Sequence, residues 1–234
     1  MNTTAQILKE GSVKVEGRLV DASNATLFTE LELNGESIRA IYKPISGERP
    51  LWDFQSGNLA FRERAAFLIS EAMGLNLVPL TILRDGPFGQ GAFQLWIDID
   101  ESIDLALYFR ETNDNLRSVA LFDAVINNTD RKIGHLLPAQ SGELYVCDHG
   151  VTFHEEDKLR TVLWQWSGEE LRSSEIETLN RLLDSLMKEE ISELLTLISD
   201  VEREALIMRI ERLINQTRFP EPNPEWPAVP WPPF

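Results

Sequence analysis

The chain has 234 residues, of which 43% are hydrophobic and 26% are charged, a composition typical of a soluble protein with one large domain or two lobes around a cleft. Its net charge of −16 argues against nucleic acid as a partner and against docking on anionic lipid, because no cationic surplus is present to neutralise phosphates. The single cysteine excludes an internal disulfide and fits a reducing cytoplasm. We expect no signal peptide and no membrane insertion, since the start lacks a basic region and no apolar run has the length of a span.

Strands are predicted within residues 7–43, because apolar and polar side chains alternate along 12–20, 27–33 and 37–43. The polar segment 21–26 has two interpretations. It is either an ordinary hairpin turn or a loop of small residues whose backbone N–H groups approach a triphosphate. Lys43 ends the third strand, where a lone lysine is usually only solvated.

A helix is predicted over residues 57–73, which carry one apolar stripe. Glu63 falls on that stripe, and a carboxylate there needs a cationic partner. Lys43 is one candidate partner, whereas Arg62, Arg64 or solvent would serve in a purely structural interpretation.

The loop at 46–54, before this helix, is charged and aromatic. It either caps a nucleotide or binds substrate, or else it packs Trp52 and Phe54 onto its own lobe. Two further strands are predicted at 78–84 and 92–98. The acidic turn that follows marks the predicted end of a first lobe.

The central motif lies in residues 121–150. An apolar helical run ends at the turn formers 127–129, which places Asp130 in a loop. Two short strands are predicted within 136–147, and the second leads directly into residues 148–150, Asp-His-Gly.

This layout resembles the catalytic core of kinases, in which a loop aspartate is followed five residues later by a metal ligand and a hairpin delivers a second aspartate in an Asp-x-Gly motif. The Asp-Arg start at Asp130 and the missing His-Arg-Asp are similar to the phosphatidylinositol 3-/4-kinase superfamily, and most similar to an uncharacterised bacterial lipid-kinase-like family. The resemblance covers about residues 10–155. One position departs from it, because those families carry asparagine where this chain has His135.

The resemblance implies an α+β, two-lobed protein-kinase-like fold. Residues 1–98 would form a small antiparallel-sheet lobe with one helix that binds nucleotide, and residues 99–218 a mainly helical catalytic lobe. The tail, 219–234, is rich in proline and tryptophan and is expected to be extended. We expect it to pack on its own domain, with binding of a protein partner as the alternative.

The resemblance also implies ATP and Mg²⁺ or Mn²⁺ as cofactors. Asp130 would orient the acceptor hydroxyl and take its proton, with Arg131 or Lys132 stabilising charge on the transferring group. Lys43 would hold the phosphates and Glu63 would hold Lys43. The metal ligands would be His135 and Asp148. The remaining nucleotide contacts would be the loop residues Ser23, Asn24, Ala25 and Thr26, and the base-pocket residues Gln94, Leu95, Trp96 and Ile97.

Several functional hypotheses stay open at this stage. The acceptor of an ATP-dependent phosphotransferase is a lipid, a protein or a small molecule, and the same scaffold could transfer AMP. A metal-dependent hydrolase would use His135, Asp148, His149 and His154 as ligands. A pseudokinase would bind nucleotide without turnover.

A separate expectation concerns the metal preference that His135 would give the site. An imidazole ligand favours manganese over magnesium, which prefers oxygen ligands. Metal binding should then weaken as pH falls through the histidine range, near 6.5 for an unperturbed group. In the alternative, His135 only hydrogen-bonds the loop around Asp130.

Overall fold

A computed structural model of the protein describes residues 3–19, 24–54 and 59–234. The described residues form seven α-helices and seven strands, and two 3₁₀ turns lie at Ile45–Gly47 and Ile133–His135. The helices are α1 Thr3–Glu10, α2 Leu59–Ala72, α3 Leu105–Tyr108, α4 Asp114–Ile126, α5 Ser173–Met187, α6 Leu194–Leu197 and α7 Asp200–Gln216. The strands are β1 Ser12–Arg18, β2 Leu27–Leu33, β3 Glu36–Pro44, β4 Thr81–Gly86, β5 Gly89–Leu95, β6 Leu136–Pro138 and β7 Leu144–Val146.

Strands β1 to β5 form one antiparallel sheet in the order β1-β2-β3-β5-β4. The turn between β2 and β3 is made by Asn34 and Gly35, which both have positive φ, as a tight hairpin of this kind requires. The remaining strand pair, β6 and β7, forms a separate small hairpin. The antiparallel sheet followed by a mainly helical part confirms the predicted α+β class.

Among the described residues, the sheet region has a second helix, α1, besides the one helix that the sequence predicts. Helix α1 begins before the first strand and buries Ile7 and Leu8 against the sheet. These side chains pack with Tyr42 and Phe93, whose rings stack at a centroid distance of 4.2 Å. The helix covers the sheet face opposite Lys43, because Lys43 alternates with Tyr42 along β3.

Strands β4 and β5 extend further into the turn between them than the strands that the sequence predicts at 78–84 and 92–98. The glycines near the turn explain the difference. A Cβ atom at Gly86 would lie 2.8 Å from the rings of Tyr42 and Phe93, so only glycine lets the strand continue beneath them.

Helix α4 lies in the larger hydrophobic core, packed with residues of α2, α5 and α7. Asn113 caps its start, with its side chain accepting a hydrogen bond from the Leu116 N–H at 2.9 Å. Asn127 ends it in the left-handed conformation, with φ of 52°. The chain therefore leaves the helix where the sequence predicts and delivers the next residues to the cleft.

The tail after α7 runs back along the helical part to the loop that follows α4. The Ala228 carbonyl accepts hydrogen bonds from the Thr161 N–H at 3.1 Å and from the Trp164 indole at 2.8 Å. Further on, the Pro233 carbonyl accepts from the Ile133 N–H at 2.8 Å. Among the described residues, no helix combines the length and apolar character needed to cross a bilayer.

Candidate active site

Lys43 and Glu63 form the ion pair that the sequence predicts. Lys43 projects from β3 and Glu63 from the buried side of α2, and the Lys43 ammonium also lies 3.0 Å from Asp148 Oδ1. Burial lowers the pKa of Lys43, but the carboxylates of Asp148 and Glu63 outweigh burial and raise it. Burial raises the pKa of Glu63, yet Lys43 and His149 bring it down to about 2. Both groups are therefore charged at neutral pH.

His149 lies behind this pair, fully buried in the Asp-His-Gly motif. Its Nδ1 faces the second carboxylate oxygen of Glu63 at 3.6 Å, slightly beyond hydrogen-bond length. Its Nε2 lies 2.9 Å from the Arg131 guanidinium. Because burial lowers the pKa of His149, the ring is neutral and accepts at Nε2 from Arg131, which leaves the hydrogen on Nδ1. His149 thus lies between Glu63 and Arg131, the residue that follows Asp130.

The structure corrects the expectation for Arg131. Its side chain is completely buried and pairs with Asp123 of α4 at 3.0 Å, and its Nη1 donates to the Cys147 carbonyl at 2.8 Å. Its guanidinium points into the interior, so it does not reach a transferring group. Asp123 was not predicted from the sequence, although an aspartate inside the apolar run 119–126 is a signal for a buried cationic partner.

Asp130 lies in the loop after α4 and is held by a chain of polar contacts. Its N–H donates to Asn128 Oδ1 at 3.0 Å, and Asn128 Nδ2 donates to Asp123 at 2.9 Å. Two cations approach its carboxylate, with Lys132 Nζ at 3.4 Å and Arg160 Nη2 at 3.9 Å. Burial raises the pKa of Asp130 although Lys132 opposes the shift. A raised pKa suits a carboxylate that accepts a proton.

Arg160 was missed by sequence reasoning. It lies 30 positions after Asp130 in a segment without a motif, and it reaches the site only because its backbone pairs with the loop after α4.

The pair expected to bind metal lies on the Lys43 side of the cleft. His135 Nε2 is 3.5 Å from Asp148 Oδ2, while the other oxygen of Asp148 faces Lys43. The Lys43 charge lowers the pKa of Asp148. Burial lowers the pKa of His135 to about 4, so the weakening of metal binding predicted near pH 6.5 moves to lower pH.

The hydrogen bonds of His135 bear on its role as a ligand. The Lys132 N–H donates to His135 Nδ1 at 3.3 Å, which assigns the imidazole hydrogen to Nε2, facing Asp148. With its hydrogen on Nε2, His135 faces Asp148 Oδ2 as a donor and offers no lone pair there to a metal ion. His135 fits one only after its hydrogen moves to Nδ1 and the contact with Lys132 is lost.

The ligands of the hydrolase hypothesis do not converge. His149 lies in the interior, whereas His154 packs against Phe54 and its Nδ1 accepts from the Glu156 N–H at 3.0 Å. In residues 3–19, 24–54 and 59–234, no group of three or more His, Cys, Asp or Glu side chains is arranged to hold a metal ion.

The base-pocket residues divide between the two sheet faces. Gln94 pairs in register with Ile41 on the Lys43 face, where its side chain donates to a threonine hydroxyl of β4 at 2.8 Å. Trp96, next on that side, packs edge-on against Phe28 at 4.9 Å. Leu95 pairs with a residue of the opposite face, so its side chain does not line the pocket beside Lys43. Ile97 follows the strand and is half-buried.

The predicted phosphate loop is described in part. Ser23 lies outside the described residues, whereas residues 24–26 line a cavity of about 40 Å³ together with Lys43 and Asp148. The Ala25 N–H donates to the Gly47 carbonyl at 3.1 Å. A Cβ atom at Gly47 would lie 2.4 Å from the Ala25 side chain, so glycine lets the loop close onto its neighbour.

The two aromatic residues of the loop at 46–54 differ in burial. Phe54 is buried and packs edge-on against His154 at a centroid distance of 5.4 Å. Trp52 is 86% exposed. The aromatic residues of this loop therefore have different roles, one structural and one at the surface of the cleft.

Comparison with known proteins places the chain among relatives. No family model matches it. The crystal structure of the Helicobacter pylori proinflammatory kinase CtkA is similar over 91% of this chain and 94% of that chain, with 13% identity and a TM-score of 0.48, a level that says nothing about chemistry. The Mycobacterium tuberculosis protein Rv2133c is 38% identical over 263 residues, which cover 97% of this chain and 94% of that protein. The chain therefore belongs to the family of Rv2133c.

Proposed function

We propose that this protein is a kinase-like phosphotransferase that uses ATP and a divalent metal ion, with residues 1–98 and 99–218 as its two lobes. The observation that carries the proposal is the position of Lys43, between Glu63 and Asp148 in a cleft that also holds Asp130. In kinases a lysine of this kind contacts the phosphates, and the Asp-x-Gly aspartate binds the metal. The Asp-Arg sequence at Asp130 favours a relation to the phosphatidylinositol 3-/4-kinase superfamily.

Each side chain has a defined task in this proposal. Lys43 holds the phosphates and Glu63 holds Lys43. Asp130 orients the acceptor hydroxyl and receives its proton. Lys132, whose ammonium lies beside Asp130, takes the charge-stabilising task that Arg131 cannot perform.

A divalent ion bound with the nucleotide would neutralise phosphate charge, and Asp148 would hold it. Few protein ligands are needed for such an ion, because magnesium at phosphoryl-transfer sites is bound by one or two carboxylates, phosphates and water. Asp148 Oδ2, the oxygen that does not pair with Lys43, would be one such ligand.

The test is a transfer assay with ATP labelled at either the α- or the γ-phosphate, in Mg²⁺ and in Mn²⁺, with a cell extract as the source of acceptors. We expect γ-label on an acceptor and loss of transfer in Asp130→Asn, by about 10²–10⁴-fold. Asp184→Asn, an equivalent change at an exposed ion pair of α5, serves as the control. Transfer of α-label would indicate an AMP transferase, and ATP binding with no transfer would indicate a pseudokinase.

A further inference from the structure

A second cavity lies next to Asp130 and adjoins the small cavity beside Lys43, with which it shares Asn24, Leu59, Asp148 and Gly150. Its volume is about 500 Å³, within the range of about 300–1,000 Å³ for small-molecule sites. It is lined by the loop at 49–54, by Asp130 and Arg160, and by Trp226 of the tail. The nucleotide contacts proposed above do not use most of these residues.

Arg160 gives this cavity a fixed cationic group. The backbone N–H of Arg160 donates to the Asn128 carbonyl at 2.9 Å, and the backbone carbonyl of Arg160 accepts from the Arg131 N–H at 3.1 Å. The backbone of Arg160 is therefore held from both sides. Its Nη2 lies 3.9 Å from Asp130 Oδ1, too far for a hydrogen bond. Its Nε is buried and has no hydrogen-bond partner within the described residues. A guanidinium with unsatisfied donors favours a carboxylate or phosphate ligand.

Aromatic groups form the rim of the same cavity. The Lys158 ammonium lies 5.0 Å from the centre of the Trp52 ring and 5.1 Å from that of Trp226. Lys158 itself is buried and pairs with Asp53 at 3.3 Å, so it holds the loop and the tail together. Trp52 nevertheless stays 86% exposed, which leaves an indole face available for the carbon part of a ligand.

We propose that this cavity is the acceptor site and that it takes a small alcohol bearing a phosphate or a carboxylate. Arg160 binds the anionic group, Asp130 faces the hydroxyl, and the indoles of Trp52 and Trp226 cover the carbon skeleton. The acceptor role rests on the proposed function, whereas anion binding does not.

In the transfer step, the acceptor oxygen bonds to the γ-phosphorus of ATP as the bond from that phosphorus to the β,γ-bridging oxygen breaks. ADP leaves with the electron pair of the broken bond. The hydroxyl proton passes to Asp130.

The test is calorimetric titration of the nucleotide-free protein with glycerol 3-phosphate, glycerate and glycerol. We expect one or both anions to bind, with the stronger one identifying phosphate or carboxylate as the group read, and neutral glycerol not to bind. Arg160→Gln should weaken anion binding by roughly 10–100-fold, the usual effect of removing a charged hydrogen-bond partner. Arg181→Gln, an equal charge change at an exposed position of α5, should leave binding unchanged.

A second variant guards against a folding artefact. Trp52→Ala changes an exposed side chain and leaves the ion pair between Lys158 and Asp53 to hold the loop, so it should keep the thermal unfolding temperature while weakening anion binding several-fold. Equal binding in wild type and Arg160→Gln, tight binding of glycerol, or no anion binding would overturn the proposal. So would loss of binding in Lys43→Met but not in Arg160→Gln, because the anion would then occupy the nucleotide phosphate site. Anion binding in a protein that binds no ATP would sink the phosphotransferase proposal and leave the anion site standing.

Discussion

Breaking the ion pair between Arg131 and Asp123 should lower the free energy of unfolding by several kcal/mol, the range for a buried pair. The contacts proposed for the nucleotide should stay in place, because neither side chain is one of them. Both side chains are 0% exposed, and Asp123 accepts from Arg131 Nε at 3.1 Å and from Nη2 at 3.0 Å. Arg131→Met would leave the Asp123 carboxylate buried without its cation. The same variant removes the donor to the Cys147 carbonyl.

The expected loss follows from the cost of a buried charge without a partner. Removing one member of a buried pair costs about 3–5 kcal/mol in free energy of unfolding. For a chain of this size each kcal/mol lowers Tm by about 2–4 °C, so Tm should fall by roughly 6–20 °C. Replacing both partners with apolar residues, in Arg131→Met with Asp123→Leu, should cost less than the single change.

Urea unfolding followed by circular dichroism measures the difference. The matched control is Arg172→Met, which breaks an exposed pair of 2.8 Å with Asp114 and should cost less than about 1 kcal/mol. If Arg131→Met were as stable as the control but inactive in transfer, the reasoning would be refuted. Arg131 would then have the catalytic task that its burial denies.

Three further predictions concern the cleft. His149→Phe should weaken nucleotide binding about tenfold with little change in fold, because Glu63 loses the polar group that faces it. His149→Gln should recover part of the affinity. Calorimetric titration with an ATP analogue compares the two variants with the wild type. His135→Asn should shift metal preference from Mn²⁺ towards Mg²⁺ if His135 ligates the ion, whereas equal preference in both proteins would leave it structural. The pKa of His135 in the folded state is about 4, below its normal 6.5. Its contribution to the free energy of unfolding is therefore complete above pH 6.5 and is lost as pH falls towards 4. Denaturation of wild type and His135→Asn between pH 6.5 and 4 checks the sign.

The sequence predicts those features that depend on local patterns. Alternation along β2 and β3, the Asn-Gly turn and the apolar stripe of α2 place Lys43 and Glu63 on facing elements, and the ion pair follows from the need of a buried carboxylate for a cation. The turn formers after α4 likewise fix Asp130 in a loop.

The features that were wrong or missed depend on distant parts of the chain. Arg131 is adjacent to Asp130, yet Asp123 draws it inward, and Arg160 reaches the site through backbone pairing with that loop. None of these contacts is encoded in a local motif, so composition and periodicity do not reveal them.

The most direct test of the central claim is calorimetric titration with a non-hydrolysable ATP analogue in Mn²⁺. The account predicts binding to the wild type, a loss of at least about tenfold in Lys43→Met and in Asp148→Asn, and near-normal binding in Asp130→Asn. The first two variants remove the phosphate and metal contacts, whereas the third removes only the proton acceptor. Absence of binding to the wild type, or equal affinity in all four proteins, would contradict the assignment of this cleft as a nucleotide site.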